Sequence, residues 1–182
     1  MTRIISAIIY AILGQQTKES MSFFWKIYEY VKNGRKGFRE RVCGCILHRI
    51  YRENCANIPV ETTFEGYPDF PHGISGVYIS QGAIIGKDCT IFQQVTIGSN
   101  TIKGSKGYGA PRLGSNVYIG AGAKIIGNVK IGNNCRIGAN CVVTEDIPDN
   151  ATVVLEHPRV IVRQDQTDNR YVAYGREENG RC

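Results

Sequence analysis

The chain has no apolar run long enough to cross a bilayer. The run nearest its start, Ile4 to Leu13, has ten residues, where a spanning helix needs about 20. That run imitates a secretory leader, but no small-x-small cleavage site precedes the polar QQTKES. Histidine is scarce: His48, His72 and His157 are the only three, and they are too scattered for a three-imidazole metal site. The seven cysteines (43, 45, 55, 89, 135, 141 and 182) are odd in number and lack zinc-type spacing. A disulfide framework is therefore not expected, nor is a required metal, and the protein reads as cytoplasmic with reduced thiols. The basic excess, 22 Lys and Arg against 16 Asp and Glu, gives a net charge of +6 and a pI near 9.0. It is not gathered into one long run, so a nucleic-acid partner is not expected. The charge points to smaller anionic partners, and solubility accounts for it equally well.

Up to about residue 56 the apolar residues recur at helical spacing: Ile4, Ile8, Ile12, then Phe24, Ile27, Tyr28, Val31, then Val42, Ile46, Ile50. Gly34 and Gly37 separate the last two helices. Aromatic residues (Phe23, Phe24, Trp25, Tyr28, Tyr30) and bases (Lys26, Lys32, Arg35, Lys36, Arg39, Arg41, Arg49, Arg52) crowd these helices. Such a surface suits peripheral contact with the inner face of an anionic membrane. Packing against the rest of the chain or a second copy accounts for the same composition.

From Ile58 onward the period changes to six. One block runs Ile79, Ile85, Ile91, Ile97, and a second runs Leu113, Ile119, Ile125, Ile131, Ile137, Val143. Neither helix nor simple strand has that period, whereas a coil of three short strands and three turns does, its copies stacking at about 4.8 Å. The lead aliphatics point inward. So does the small fifth residue of each hexad (Ala83, Cys89, Val95, Ala123, Val129, Cys135, Cys141), which makes those cysteines core fillers. Asn116 and Asn134, eighteen apart, stack on one edge. Ile97 to Leu113 is not a multiple of six, so SNTIKGSKGYGAPR leaves the coil as a loop. The organisation expected is a helical region at 1–56, a β-helix at 57–163 and a polar, mobile tail at 164–182.

The segments PHGISGVYIS, IIGKDCTIFQQVTIG and LGSNVYIGAGAKIIGNVKIGNNCRIGANCVVTEDIP resemble the hexapeptide acyltransferases, and within them serine acetyltransferase and its sugar-modifying relatives. The resemblance spans Ile58 to Ile161 and implies a mainly β fold: a left-handed parallel β-helix that carries short N-terminal helices and a protruding loop, and assembles as a homotrimer. It implies acetyl transfer from acetyl-CoA to a hydroxyl, a reaction that needs a base for the hydroxyl proton, and imidazole suits that task.

His72 sits where the serine acetyltransferase pattern has its catalytic histidine, shortly before Gly76-Val77. The family's histidine is oriented by an aspartate about one coil earlier, where this chain has Asn57; Asp69 is the nearby acidic candidate, and a backbone carbonyl is the other group that could orient the ring. The spacing from His72 to Ile79 is one residue longer than the family's. For the donor, the resemblance implies a seam between neighbouring coils of a trimer, with Ala121, Ala139 and Thr144 at the matching positions. Lys103, Lys106, Arg159 and Arg163 are candidates for the phosphates of coenzyme A. The family's closing Gly-x-Pro turn reads Glu156-His157-Pro158.

Gly109-Ala110-Pro111 replaces the Arg-His-Pro element whose histidine holds serine, and resembles relatives acting on capsule, exopolysaccharide and O-antigen sugars. The expected acceptor is therefore a bacterial sugar or surface-polysaccharide precursor. Serine O-acetylation is the alternative, and an inert β-helix scaffold is the alternative of another class. A carbonic anhydrase of this fold would need the zinc-binding histidines that are missing.

Overall fold

The computed structural model describes residues 18–34, 37–162 and 164. The expected helix at Ile4 to Leu13, Arg163, and the tail beyond Gln164 lie outside the described residues. Two helices, α1 (Lys18–Lys32) and α2 (Phe38–Glu53), precede twelve strands. These are β1 (Thr63–Phe64), β2 (Tyr78–Ile79), β3 (Ile84–Ile85), β4 (Thr90–Ile91), β5 (Thr96–Gly98), β6 (Arg112–Leu113), β7 (Tyr118–Ile119), β8 (Lys124–Ile126), β9 (Lys130–Ile131), β10 (Arg136–Ile137), β11 (Val142–Val143) and β12 (Thr152–Val153).

The strands form three all-parallel sheets, the three faces of a prism: β2-β5-β8-β11, β1-β3-β6-β9 and β4-β7-β10-β12, here the first, second and third faces. Successive strands visit the faces in turn, which makes the molecule a three-sided parallel β-helix. The hexads produce this because each strand places its lead aliphatic inward: Ile85, Ile91, Ile97, Ile119, Ile125 and Ile137 are fully buried. Ala83, Val95, Ala123 and Cys135 beside them are equally buried, and Cys89 and Cys141 nearly so. Burial pushes the Cys89 thiol up, which keeps it a neutral filler.

Register exposes where the regularity breaks. Tyr78 pairs with Thr96, Arg112 with Lys130, Tyr118 with Arg136 and Lys124 with Val142, all eighteen apart. Ile84 to Arg112, Thr90 to Tyr118 and Thr96 to Lys124 are 28 apart, so ten residues leave the coil as the expected loop. Asn57 to Tyr78, Thr63 to Ile84 and Asp69 to Thr90 are 21 apart. The first coil is thus three residues too long, and the excess lies between Asp69 and Tyr78. The last is short: Arg136 pairs with Thr152, sixteen on.

The corners between the second and third faces carry Asp88, Asn116, Asn134 and Asn150, all with φ between 55° and 62°. Asparagine tolerates that left-handed backbone better than most residues. The expected side-chain stack is present, Asn116 Nδ2 donating to Asn134 Oδ1 at 2.9 Å and Asn134 Nδ2 to Asn150 Oδ1 at 3.0 Å.

The helices close the N-terminal end of the prism. Phe24 and Tyr28 of α1 are buried, the Tyr28 hydroxyl donates to the Pro59 carbonyl at 2.7 Å, and Lys32 Nζ donates to the Thr62 carbonyl at 2.8 Å. Trp25 stacks on Tyr67 with ring centroids 4.2 Å apart. Packing within the chain therefore occupies these aromatics, while Lys26, Arg39, Arg41, Arg49 and Arg52 stay exposed. The inward face of α2 differs from the expected one: Leu47 and Ile50 are buried, Ile46 is half-buried, and Val42 is 40% exposed. The face that meets α1 and the coil follows Cys43, Leu47, Ile50 and Asn54, at the four-three-four spacing of a helix. Among the described residues no helix is long and apolar enough to cross a membrane.

Candidate functional site

The three extra residues of the first coil form a bulge at the edge between the third and first faces, and His72 stands on it. The turn is closed by the Gly73 N–H donating to the Phe70 carbonyl at 2.9 Å, and the Gly76 N–H donates to the Asn54 carbonyl at 2.8 Å. Gly76 has φ 66°, and a Cβ there would lie 3.2 Å from Gln94 Cα, so glycine serves both the turn and the close approach to the next coil. The bulge leaves the His72 side chain exposed.

The same edge continues through the coils that follow. Gln93, Ala121 and Ala139 hold equivalent corner positions, each followed by a residue with positive φ: Gln94 (61°), Gly122 (73°) and Asn140 (57°). Backbone hydrogen bonds run down the edge, from Gln94 N–H to Ser75 O at 2.8 Å, Gly122 N–H to Gln93 O at 3.0 Å and Asn140 N–H to Ala121 O at 2.9 Å. Lys124 Nζ adds a cation there, donating to the carbonyls of Gln94 at 2.7 Å and Gly122 at 2.9 Å. His72, Ala121 and Ala139 are therefore brought onto one edge. Alanine at the two corners places no side chain beyond Cβ on the edge that leads away from the imidazole.

The group that holds the imidazole is not Asn57, Asp69 or a backbone carbonyl but a side-chain amide. His72 Nδ1 lies 2.8 Å from Gln93 Oε1, and the Phe92 ring meets the imidazole edge-on at 5.2 Å between centroids. Asp69 makes no hydrogen bond to the ring. Its backbone pairs with Thr90, and its exposed side chain belongs to the outer row of the third face with Thr90, Tyr118 and Arg136. Asn57 also makes no bond to the ring, since its backbone pairs with Tyr78 at the start of the first face. Sequence reading missed Gln93 because the pairing of Asp69 with Thr90, 21 residues on instead of eighteen, could not be read from the hexads. The available signal was its corner position, equivalent to those of Ala121 and Ala139.

The remaining donor candidates lie elsewhere. The loop leaves from the edge between the first and second faces and is pinned by Asn100–Gly109 bridging and by Asn100 Nδ2 donating to Ser105 Oγ at 2.9 Å. Its stem rests on the next coil through Asn128 N–H to Gly107 O at 2.8 Å. Lys103 and Lys106 are exposed on this loop, and Thr144 is exposed on the same edge just after β11. Arg159 is exposed beyond β12. One copy of the chain thus does not bring these groups to the His72 edge.

Comparison with known proteins fits this geometry. Residues 110–145 match the family described as bacterial transferase hexapeptide (six repeats). The serine acetyltransferase of Synechococcus elongatus is 38% identical over 143 residues, covering 70% of this chain and 57% of that protein. Serine acetyltransferase isoform 3 from Entamoeba histolytica, solved with cysteine, superposes with a TM-score of 0.64 at 27% identity, covering 90% of this chain and 63% of the other. A serine acetyltransferase solved with CoA gives 0.57 at 28% identity, covering 71% and 51%. The chain spans a little over half the length of the Synechococcus relative. By fold, matched repeats and relatives, this is a hexapeptide-repeat β-helix protein similar to the serine acetyltransferases.

Proposed function

We propose that the chain is an acetyl-CoA-dependent O-acetyltransferase whose acceptor is the hydroxyl of serine or a similarly small amino acid. The observation that carries this reading is His72, exposed on a bulged corner with Nδ1 engaged and Nε2 free, at the head of the Ala121–Ala139 seam. In the reaction Nε2 takes the acceptor's hydroxyl proton as that oxygen attacks the thioester carbon. The tetrahedral intermediate collapses, the C–S bond breaks, and the coenzyme A thiolate leaves and takes the proton from the imidazolium. The products are the acetyl ester and the free thiol.

Serine takes precedence over the sugar expected from Gly109-Ala110-Pro111 because the relatives above are serine acetyltransferases. The sugar remains the second reading on one observation: Ala110 offers no side chain able to hydrogen-bond an amino-acid acceptor. Assembly belongs to the same reading. The loop lysines and Thr144 stand on a different edge from His72, so a second copy set beside the first, as in a homotrimer, supplies them to the seam, and the donor phosphates meet Lys103 and Lys106. The membrane-facing role of the exposed bases and a cytoplasmic location go with the activity as parts of the proposal.

The test is thiol release from acetyl-CoA with L-serine, nucleotide sugars and oligosaccharides in parallel, the acetylated product being identified by mass. Release with L-serine is expected. Release with a sugar alone selects the second reading, and no release with any acceptor returns the chain to the inert scaffold.

A further inference from the structure

We propose that Gln93 is the positioning residue that sets the tautomer of His72, a role that rests on the transfer reading above. Gln93 Oε1 can only accept a hydrogen bond, so at 2.8 Å it fixes the proton on Nδ1. Nε2 is then left with its lone pair, the form a general base requires. Free imidazole has no such constraint.

The arrangement is built on both sides of the contact. Gln93 lies in a corner clamped by its own carbonyl accepting from Gly122 N–H at 3.0 Å and by Gln94 N–H donating to Ser75 O at 2.8 Å. Gln93 is half-buried, and Lys124 Nζ ties the Gln94 carbonyl to the next coil. The imidazole is braced by the edge-on Phe92 ring, itself 5.1 Å between centroids from Tyr118. The contact crosses 21 residues of sequence: Asp69 pairs with Thr90, and His72 and Gln93 each lie three residues on, so the two meet across neighbouring coils. An amide in this place holds the ring without adding a negative charge, which is where this chain differs from an aspartate-held imidazole.

The experiment reads the ring directly. With three histidines in the chain, the 15N spectrum of the imidazoles, with His72→Ala used for assignment, separates Nδ1–H from Nε2–H for His72. The parent protein is expected to show Nδ1–H at His72, and Gln93→Ala to lose it. Turnover in Gln93→Ala should fall by about tenfold to a hundredfold, the range for groups that orient an imidazole from outside, with KM for acetyl-CoA unchanged. Gln93→Glu keeps the reach and the acceptor, so it should restore the tautomer and most of the rate. Its added carboxylate should move the acidic limb of the pH–rate profile to higher pH by about one unit. Gln93→Asn, one methylene short, should behave as Gln93→Ala.

An Nε2–H ring in the parent protein, or an Nδ1–H ring that persists in a folded Gln93→Ala variant, overturns the inference. So does Gln93→Glu behaving as Gln93→Ala. If no acceptor is acetylated and yet the tautomer depends on Gln93, the positioning role stands and the transfer reading alone fails.

Discussion

The coils on either side of the loop use the same six-residue unit and do different work. After Ala110 every paired row is eighteen residues apart until the shortened last coil, and this is the part that matches the hexapeptide family. Before the loop, the first coil holds 21 residues, and His72 stands at an edge where its three-residue excess begins. The difference shows how a repeat fold makes one edge unlike the rest. Regular coils supply a rigid core and repeated corners, and the broken count presents one exposed imidazole beside them.

Substitutions should separate the two parts. The largest effect is expected in the regular coils, where Ile119→Ala empties part of a fully buried site and should cost about 2–5 kcal/mol by chemical denaturation. In the first coil, deleting Gly73 to Ser75 would return it to eighteen residues and seat His72 in the regular corner row in place of Ser75, off the bulge that now presents it. Turnover should then fall by about a hundredfold or more, the scale for displacing a catalytic group, while acetyl-CoA affinity by calorimetry stays near its parent value. Ala139→Tyr places bulk on the exposed corner of the seam and should weaken acetyl-CoA by at least about tenfold with the melting temperature little changed, which inverts the pattern of the deletion.

The smallest effect concerns the helical cap. Burial pushes the phenols of Tyr28 and Tyr51 well above the ordinary value of 10.0. A folded-state value raised in this way means the folded form resists ionisation. The stability these groups give is complete below 10.0 and is lost as pH rises beyond it. Tyr28→Phe removes the bond to the Pro59 carbonyl and should cost about 1 kcal/mol while weakening the alkaline loss of helix seen by circular dichroism.

Legibility followed the same division. The hexads gave the three faces, the inward cysteines, the Asn116–Asn134 stack and the loop, because a strict period dictates which way each side chain points. The bulge was harder to read, since His72-Gly73-Ile74 breaks the count by three and the buried Ile74 looks like any apolar residue. Gln93 stayed hidden for the same reason: two neighbouring glutamines are indistinguishable until register shows which one faces the imidazole. On α2 the sequence offered Val42 and Ile46 as readily as Leu47, and tertiary contact with α1 and the first coil decided between them.

On the proposed function, the regular coils hold the donor while the enlarged coil supplies the base. Its most direct test is single-turnover transfer from bound acetyl-CoA, comparing the parent protein with His72→Asn at matched donor occupancy. The transfer rate is expected to fall by about two to four orders of magnitude with donor affinity unchanged. Equal rates in the two proteins on their true acceptor would contradict the account.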